Sequence, residues 1–98
     1  MYKLMIVEDE DIVREGMVRL IDFGALGYEV VAVCENGRVA LEKFFETVPD
    51  VVLTDICMAE MDGFEFIGRV YSETLLTKFI IITGHDDFSY MKKALRYR

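Results

Sequence analysis

The chain has 98 residues, 53% of them hydrophobic, which supplies enough apolar material for one small domain with a real core. Eleven basic residues against eighteen acidic ones give a formal net charge of -7 with no basic cluster, and this argues against direct nucleic-acid binding, which needs a basic footprint for the phosphates. The two cysteines, Cys34 and Cys57, lie far apart without metal-ligand spacing, the N-terminus lacks a signal-peptide layout, and no run approaches the roughly 20 apolar residues of a membrane span, so a reducing cytoplasm is the expected compartment.

In chain order, Lys3-Leu4-Met5-Ile6-Val7 reads as a buried strand and ends in the acidic run Glu8-Asp9-Glu10-Asp11. Ile12, Val13, Gly16, Met17, Leu20 and Ile21 then recur at helical spacing, with Arg14, Glu15, Arg19 and Asp22 on the opposite side. Phe23-Gly24-Ala25-Leu26-Gly27 breaks this helix, and the β-branched run Tyr28 to Val33 predicts a second strand. Asn36 is placed to cap a second helix with Ala40, Leu41, Phe44, Phe45 and Val48 on its apolar side, and Pro49 prevents that helix from continuing. Val51-Val52-Leu53-Thr54-Asp55 forms a third strand. Asp62, with Glu65 three residues on, starts a third helix whose stripe is Phe64, Ile67, Val70 and Tyr71. Lys78 to Thr83 is a fourth strand, and a last helix with Phe88, Met91, Ala94 and Leu95 inward follows. The order βαβαβαβα implies an α/β fold on a parallel sheet with right-handed crossovers.

The chemistry gathers at strand ends. In an open parallel sheet, ligands bind in the crevice beyond the carboxyl ends of the strands, so Asp55 is a site candidate. If the first and third strands are parallel neighbours, Glu8, Asp9 and Asp55 converge, and clustered carboxylates repel one another unless a hard cation with oxygen ligands neutralises them. Mg²⁺ is the expected cation. Glu10 and Asp11 are expected only to favour the dipole at a helix start.

Three motifs in order, Ile-Val-Glu-Asp-Glu, Leu-Thr-Asp-Ile-Cys-Met-Ala-Glu-Met-Asp-Gly and Ile-Ile-Ile-Thr-Gly, resemble the receiver domain of two-component response regulators over the whole chain. The resemblance implies a doubly wound, flavodoxin-like fold with strand order 2-1-3-4. It implies phosphoryl transfer from a sensor histidine kinase onto Asp55, with Mg²⁺ held by the side chains of Asp9 and Asp55 and the backbone carbonyl of Cys57, and with Glu8 acting through water. Thr83 would contact the phosphoryl group and signal its presence, and His85 with Cys57 would border the path of the hydrolytic water. Such a domain is regulatory rather than an enzyme, although it assists its own phosphorylation and dephosphorylation.

Gly84 to Tyr90 further resembles receivers joined to AraC-type helix-turn-helix domains, which implies transcription regulation, with DNA reached only through an output domain and a homodimer as one expected state. Glu8 replaces the more usual aspartate, and Ala59 the more usual proline. A complete receiver also has a fifth strand, carrying a lysine that pairs with the phosphoryl group, and a fifth helix. Lys92 and Lys93 lie in helical sequence and are not that lysine. The expectation is therefore an incomplete receiver over residues 1–98, with Phe79 to Ile82 as an open edge, that alone is either marginal or associated through that edge. Two alternatives stand beside the phosphoacceptor: a pseudo-receiver that only binds partners, and a phosphatase with an aspartate nucleophile, which would want a second aspartate where Cys57 stands.

Overall fold

The structure is a computed structural model that describes residues 1–56, 58, 60–74 and 76–82. The expectations that fall on Cys57, Ala59, Thr83, His85 and the last helix lie outside these residues. The described elements are β1 (Tyr2–Val7), α1 (Asp11–Leu20), β2 (Tyr28–Cys34), α2 (Gly37–Thr47), β3 (Val51–Asp55), α3 (Gly63–Tyr71) and β4 (Lys78–Ile82). All strand pairs are parallel and the order is β2-β1-β3-β4, as the receiver resemblance implies.

Local chemistry accounts for most boundaries. Asn36 Oδ1 accepts the Val39 N–H at 2.8 Å and Asp62 Oδ1 the Glu65 N–H at 2.9 Å, so α2 and α3 both start on the side-chain caps read from the sequence. Val48 ends α2 in the left-handed region at φ 46°, just before Pro49. The lower edge of the sheet is pinned by one residue. The Lys3 N–H donates to Asp50 Oδ2 at 2.7 Å, the Asp50 N–H to the Lys3 carbonyl and the Lys78 N–H to the Asp50 carbonyl, each at 2.9 Å. The buried Thr77 hydroxyl adds a bond to the Pro49 carbonyl at 2.8 Å. With β1, β3 and β4 aligned at their starts, their carboxyl ends reach the same edge.

The two faces of the sheet are covered unequally. Met5, Val7, Cys34 and Val52 pack against Ala40 and Phe44 of α2 and Phe66, Ile67 and Val70 of α3, in one continuous buried cluster. Phe66 stacks edge-on against both Phe44 and Phe79, at centroid separations of 6.3 and 6.5 Å. It is not in the stripe expected for α3: this helix packs against both α2 and the sheet, and its apolar arc is wider than a surface helix requires. Burial pushes the Cys34 thiol up to about 11, which leaves it un-ionised and inert.

On the other face, Leu4, Val51, Leu53 and Ile80 line an apolar groove with Ile21, Phe23, Leu26 and Tyr28. Helix α1 lies on this side, and Val33 shares a second groove with its Arg14, Glu15, Val18 and Arg19. The apolar face expected of α1 exists but is not buried among the described residues. No α1 residue is buried, and Ile12 and Leu20 are 87% and 84% exposed. Arg14, placed on the polar side from the sequence, is better covered, with its side chain only 15% exposed.

One irregularity interrupts the β1–β2 ladder. Leu4 pairs with Val30 but Met5 pairs with Ala32, which leaves Val31 as an extra residue on β2. This bulge lets Val30 and Ala32, two positions apart, lie on opposite faces of the sheet.

Candidate functional site

The β1–β3 register runs from Leu4 opposite Val51 to Val7 opposite Thr54. The next residues of each strand, Glu8 with Asp9 and Asp55, therefore leave the sheet side by side. One carboxylate oxygen from each of Glu8, Asp9 and Asp55 lies within 4.8 Å of the others. This is the convergence expected from the sequence, and it follows from parallel pairing alone.

Each acid is held differently. Glu8 is buried, at 4% exposure; its N–H donates to the Cys34 carbonyl at 3.0 Å and its Oε2 accepts the Glu10 N–H at 3.0 Å. Burial pushes the Glu8 carboxyl up to about 7; the Glu10 N–H opposes this rise, while the nearby charge of Asp55 and the charge and hydrogen bond of Asp9 add to it. Asp9 and Asp55 are half-buried. Asp55 Oδ1 accepts the Ile56 N–H at 2.7 Å, and the Thr54 hydroxyl donates to the Asp55 carbonyl at 2.9 Å.

The segment after Asp55 is packed tightly against its surroundings. A Cβ on Gly63 would stand 2.3 Å from the Asp55 carbonyl oxygen, and one on Gly37 would stand 2.3 Å from that of Met61, so neither position accommodates a side chain without movement. The Gly63 N–H closes the loop onto the Ile56 carbonyl at 2.8 Å. Glu60 takes the left-handed region at φ 67° and receives the Arg38 Nε–H at 3.2 Å, which ties the loop to the start of α2.

Sequence reasoning missed Arg14. Its Nη1 donates to the Glu8 carbonyl at 2.9 Å and its Nη2 pairs with Asp11 Oδ1. The pairing with Asp11, three residues away on one helix, was available from spacing; the bond to Glu8, which reaches from α1 back to the end of β1, was not.

Hard oxygen donors gathered this way suit a small divalent cation such as Mg²⁺, which is bound through one or two carboxylates and keeps several waters. A family model for the response regulator receiver domain matches residues 4–98. The chain belongs to the response regulator receiver family. This receiver is 36% identical over 97 residues to the uncharacterized transcriptional regulatory protein YesN of Bacillus subtilis, and 31% identical over 97 residues to the transcriptional regulatory protein HptR of Staphylococcus aureus. The match takes in 99% of this chain but only 26% and 38% of those two proteins.

Among solved structures, the receiver domain of AraT, a response regulator from Geobacillus stearothermophilus, superposes with a TM-score of 0.90 at 37% identity, covering 99% of this chain and 75% of that one. A two-component AraC-type transcriptional regulator from Clostridium phytofermentans superposes at 0.89 with 28% identity, covering all of this chain and 76% of that one. The doubly wound parallel fold expected from the sequence is thus the fold of this receiver.

Proposed function

We propose that this receiver is the phosphoacceptor switch of a transcriptional response regulator, taking a phosphoryl group from a sensor histidine kinase onto Asp55. The observation that carries this reading is the meeting of the Glu8, Asp9 and Asp55 carboxylates at one sheet edge. An Asp55 carboxylate oxygen attacks the phosphorus, the bond from phosphorus to the donor atom breaks, and an acyl phosphate results. Asp9, Asp55 and the Cys57 backbone carbonyl would hold Mg²⁺, with Glu8 reaching it through water. Mg²⁺, when bound, neutralises the carboxylates and the charge on the phosphoryl oxygens.

The Ile56 N–H orients the attacking carboxylate, and Gly63 allows the chain to pass close behind it. The Thr83 hydroxyl would bond a phosphoryl oxygen and report its presence. The domain acts as a regulator, assisting its own phosphorylation and dephosphorylation, and reaches DNA only through an output domain, with a homodimer as one of its states. No helix among the described residues is long and apolar enough to cross a membrane, and a cytoplasmic site of action fits a kinase partner.

The test is direct. Incubated with Mg²⁺ and acetyl phosphate, the protein should gain one phosphoryl group on Asp55 by mass spectrometry, and Asp55→Asn should gain none. Label on serine, threonine or His85 in place of Asp55 would refute the assignment.

A further inference from the structure

Arg14 is the largely covered cation next to the acidic turn, and it bonds two things at once. Nη1 donates to the main-chain carbonyl of Glu8 at 2.9 Å, while Nη2 pairs with Asp11. The first bond fixes the point where β1 leaves the sheet. The second keeps Asp11, the exposed acid at the start of α1, turned toward Arg14. Between them lies the Glu10 N–H, which donates to Glu8 Oε2. The planar guanidinium fork thus spans the acidic turn from Glu8 to Asp11, held to the main-chain carbonyl at one end and to the Asp11 carboxylate at the other, a two-pronged grip that Lys, with its single point charge, does not reproduce.

We propose that Arg14 is a positioning residue for the carboxylate site: it holds the Glu8–Asp11 turn so that the Glu8 and Asp9 carboxylates face Asp55 ready to receive a divalent cation. The proposal rests on the reading of that cluster as a Mg²⁺ site. It makes a prediction opposite in sign to simple electrostatics. A positive charge close to the site repels a divalent cation, so if charge were all that Arg14 contributed, its removal would tighten binding. If Arg14 orients the ligands, its removal weakens binding by the roughly 10- to 100-fold that the loss of a supporting contact behind a metal ligand costs.

The experiment compares the parent chain with Arg14→Gln and Arg14→Lys. The Mg²⁺ dissociation constant is measured by calorimetry, and amide hydrogen exchange is measured without metal at Glu10 and at Val52 in the core. Arg14→Gln is expected to weaken Mg²⁺ binding at least about ten-fold and to speed exchange at Glu10 relative to Val52. Arg14→Lys, which keeps the charge but loses the fork, should fall between Arg14→Gln and the parent in both measurements. Binding by Arg14→Gln as tight as the parent's or tighter overturns the proposal, and so does acceleration at Glu10 no greater than at Val52. If the parent itself binds no Mg²⁺, the reading of the metal site fails, and the Glu10 exchange alone decides whether Arg14 positions the turn.

Discussion

Glu8 is a buried carboxylate whose ordinary range has been left behind, and the direction of that change fixes how the protein should respond to pH. Its pKa is raised from 4.5 to about 7, first by burial, so the folded chain binds this proton more tightly than the unfolded chain does. The stabilisation from the proton is therefore complete below the ordinary carboxylate pKa and is lost as pH rises through about 7. A cation competes with the same proton. Mg²⁺ affinity should consequently rise between about pH 6 and about pH 8, with a proton released on binding, and the metal should stabilise the fold by about 2.7 kcal/mol at 100 times its dissociation constant. Melting temperatures recorded across that range, with and without Mg²⁺, check both trends. Glu8→Gln should flatten the pH dependence, and Asp9→Asn should remove most of the metal's effect. The acids themselves were legible in the sequence because they end apolar runs. The burial of Glu8 was not, since it depends on β2 and α1 closing over the end of β1.

Helices α2 and α3 show what local sequence can specify and α1 shows what it cannot. Asn36 and Asp62 announce their caps because a short polar side chain before an apolar stripe has few other uses. The α1 stripe is equally regular, yet Ile12 and Leu20 remain exposed, because periodicity identifies an apolar face without naming what covers it. Two glycines make the same contrast testable. Gly16, inside α1, has nothing within 4 Å of an added Cβ, whereas Gly63, at the start of α3, has the Asp55 carbonyl at 2.3 Å. Gly16→Ala should stabilise the protein by about 0.8–1 kcal/mol through helix propensity. Gly63→Ala should cost about 1–3 kcal/mol as over-packing and slow phosphoryl transfer by shifting Asp55. Chemical denaturation of both variants, with acetyl phosphate labelling of Gly63→Ala, decides the matter; equal stability changes would show that the close approach at Gly63 is not felt.

Across the whole molecule, the strand order came from the resemblance of three motifs to receivers and not from any one strand, because four short apolar runs can pair in several parallel arrangements. What the order settles is which ends meet. Placing β1 beside β3 brings Glu8 and Asp9 to Asp55 across some 46 residues of chain, and Asp50 and Thr77 secure the far edge so that the ends do not slide. The net charge of -7 adds to the repulsion at this site and to its attraction for cations. The sequence gives no sign of the unequal covering of the two sheet faces, because buried strands read alike from either side.

The unpaired residue in β2 also determines where this sheet can lose a residue. A strand keeps its meaning only in steps of two, so removing one residue from a regular ladder turns every side chain beyond the cut to the wrong face. Val31 is already out of step: Val30 and Ala32 on either side of it pair with the consecutive residues Leu4 and Met5. Deleting Val31 should therefore join two halves that are each already facing correctly, leaving the protein folded with little loss of stability. Deleting Val52 from β3, whose ladders with β1 and β4 are regular and hold no spare residue, should turn one half of that strand over and prevent folding. Circular dichroism and denaturant midpoints of the two deletions measure this, and equal damage from both would mean that the bulge does not act as a spare position. If they differ, the bulge marks a point on this edge where insertions and deletions can accumulate while the carboxylates at the end of β1 keep their register with Asp55.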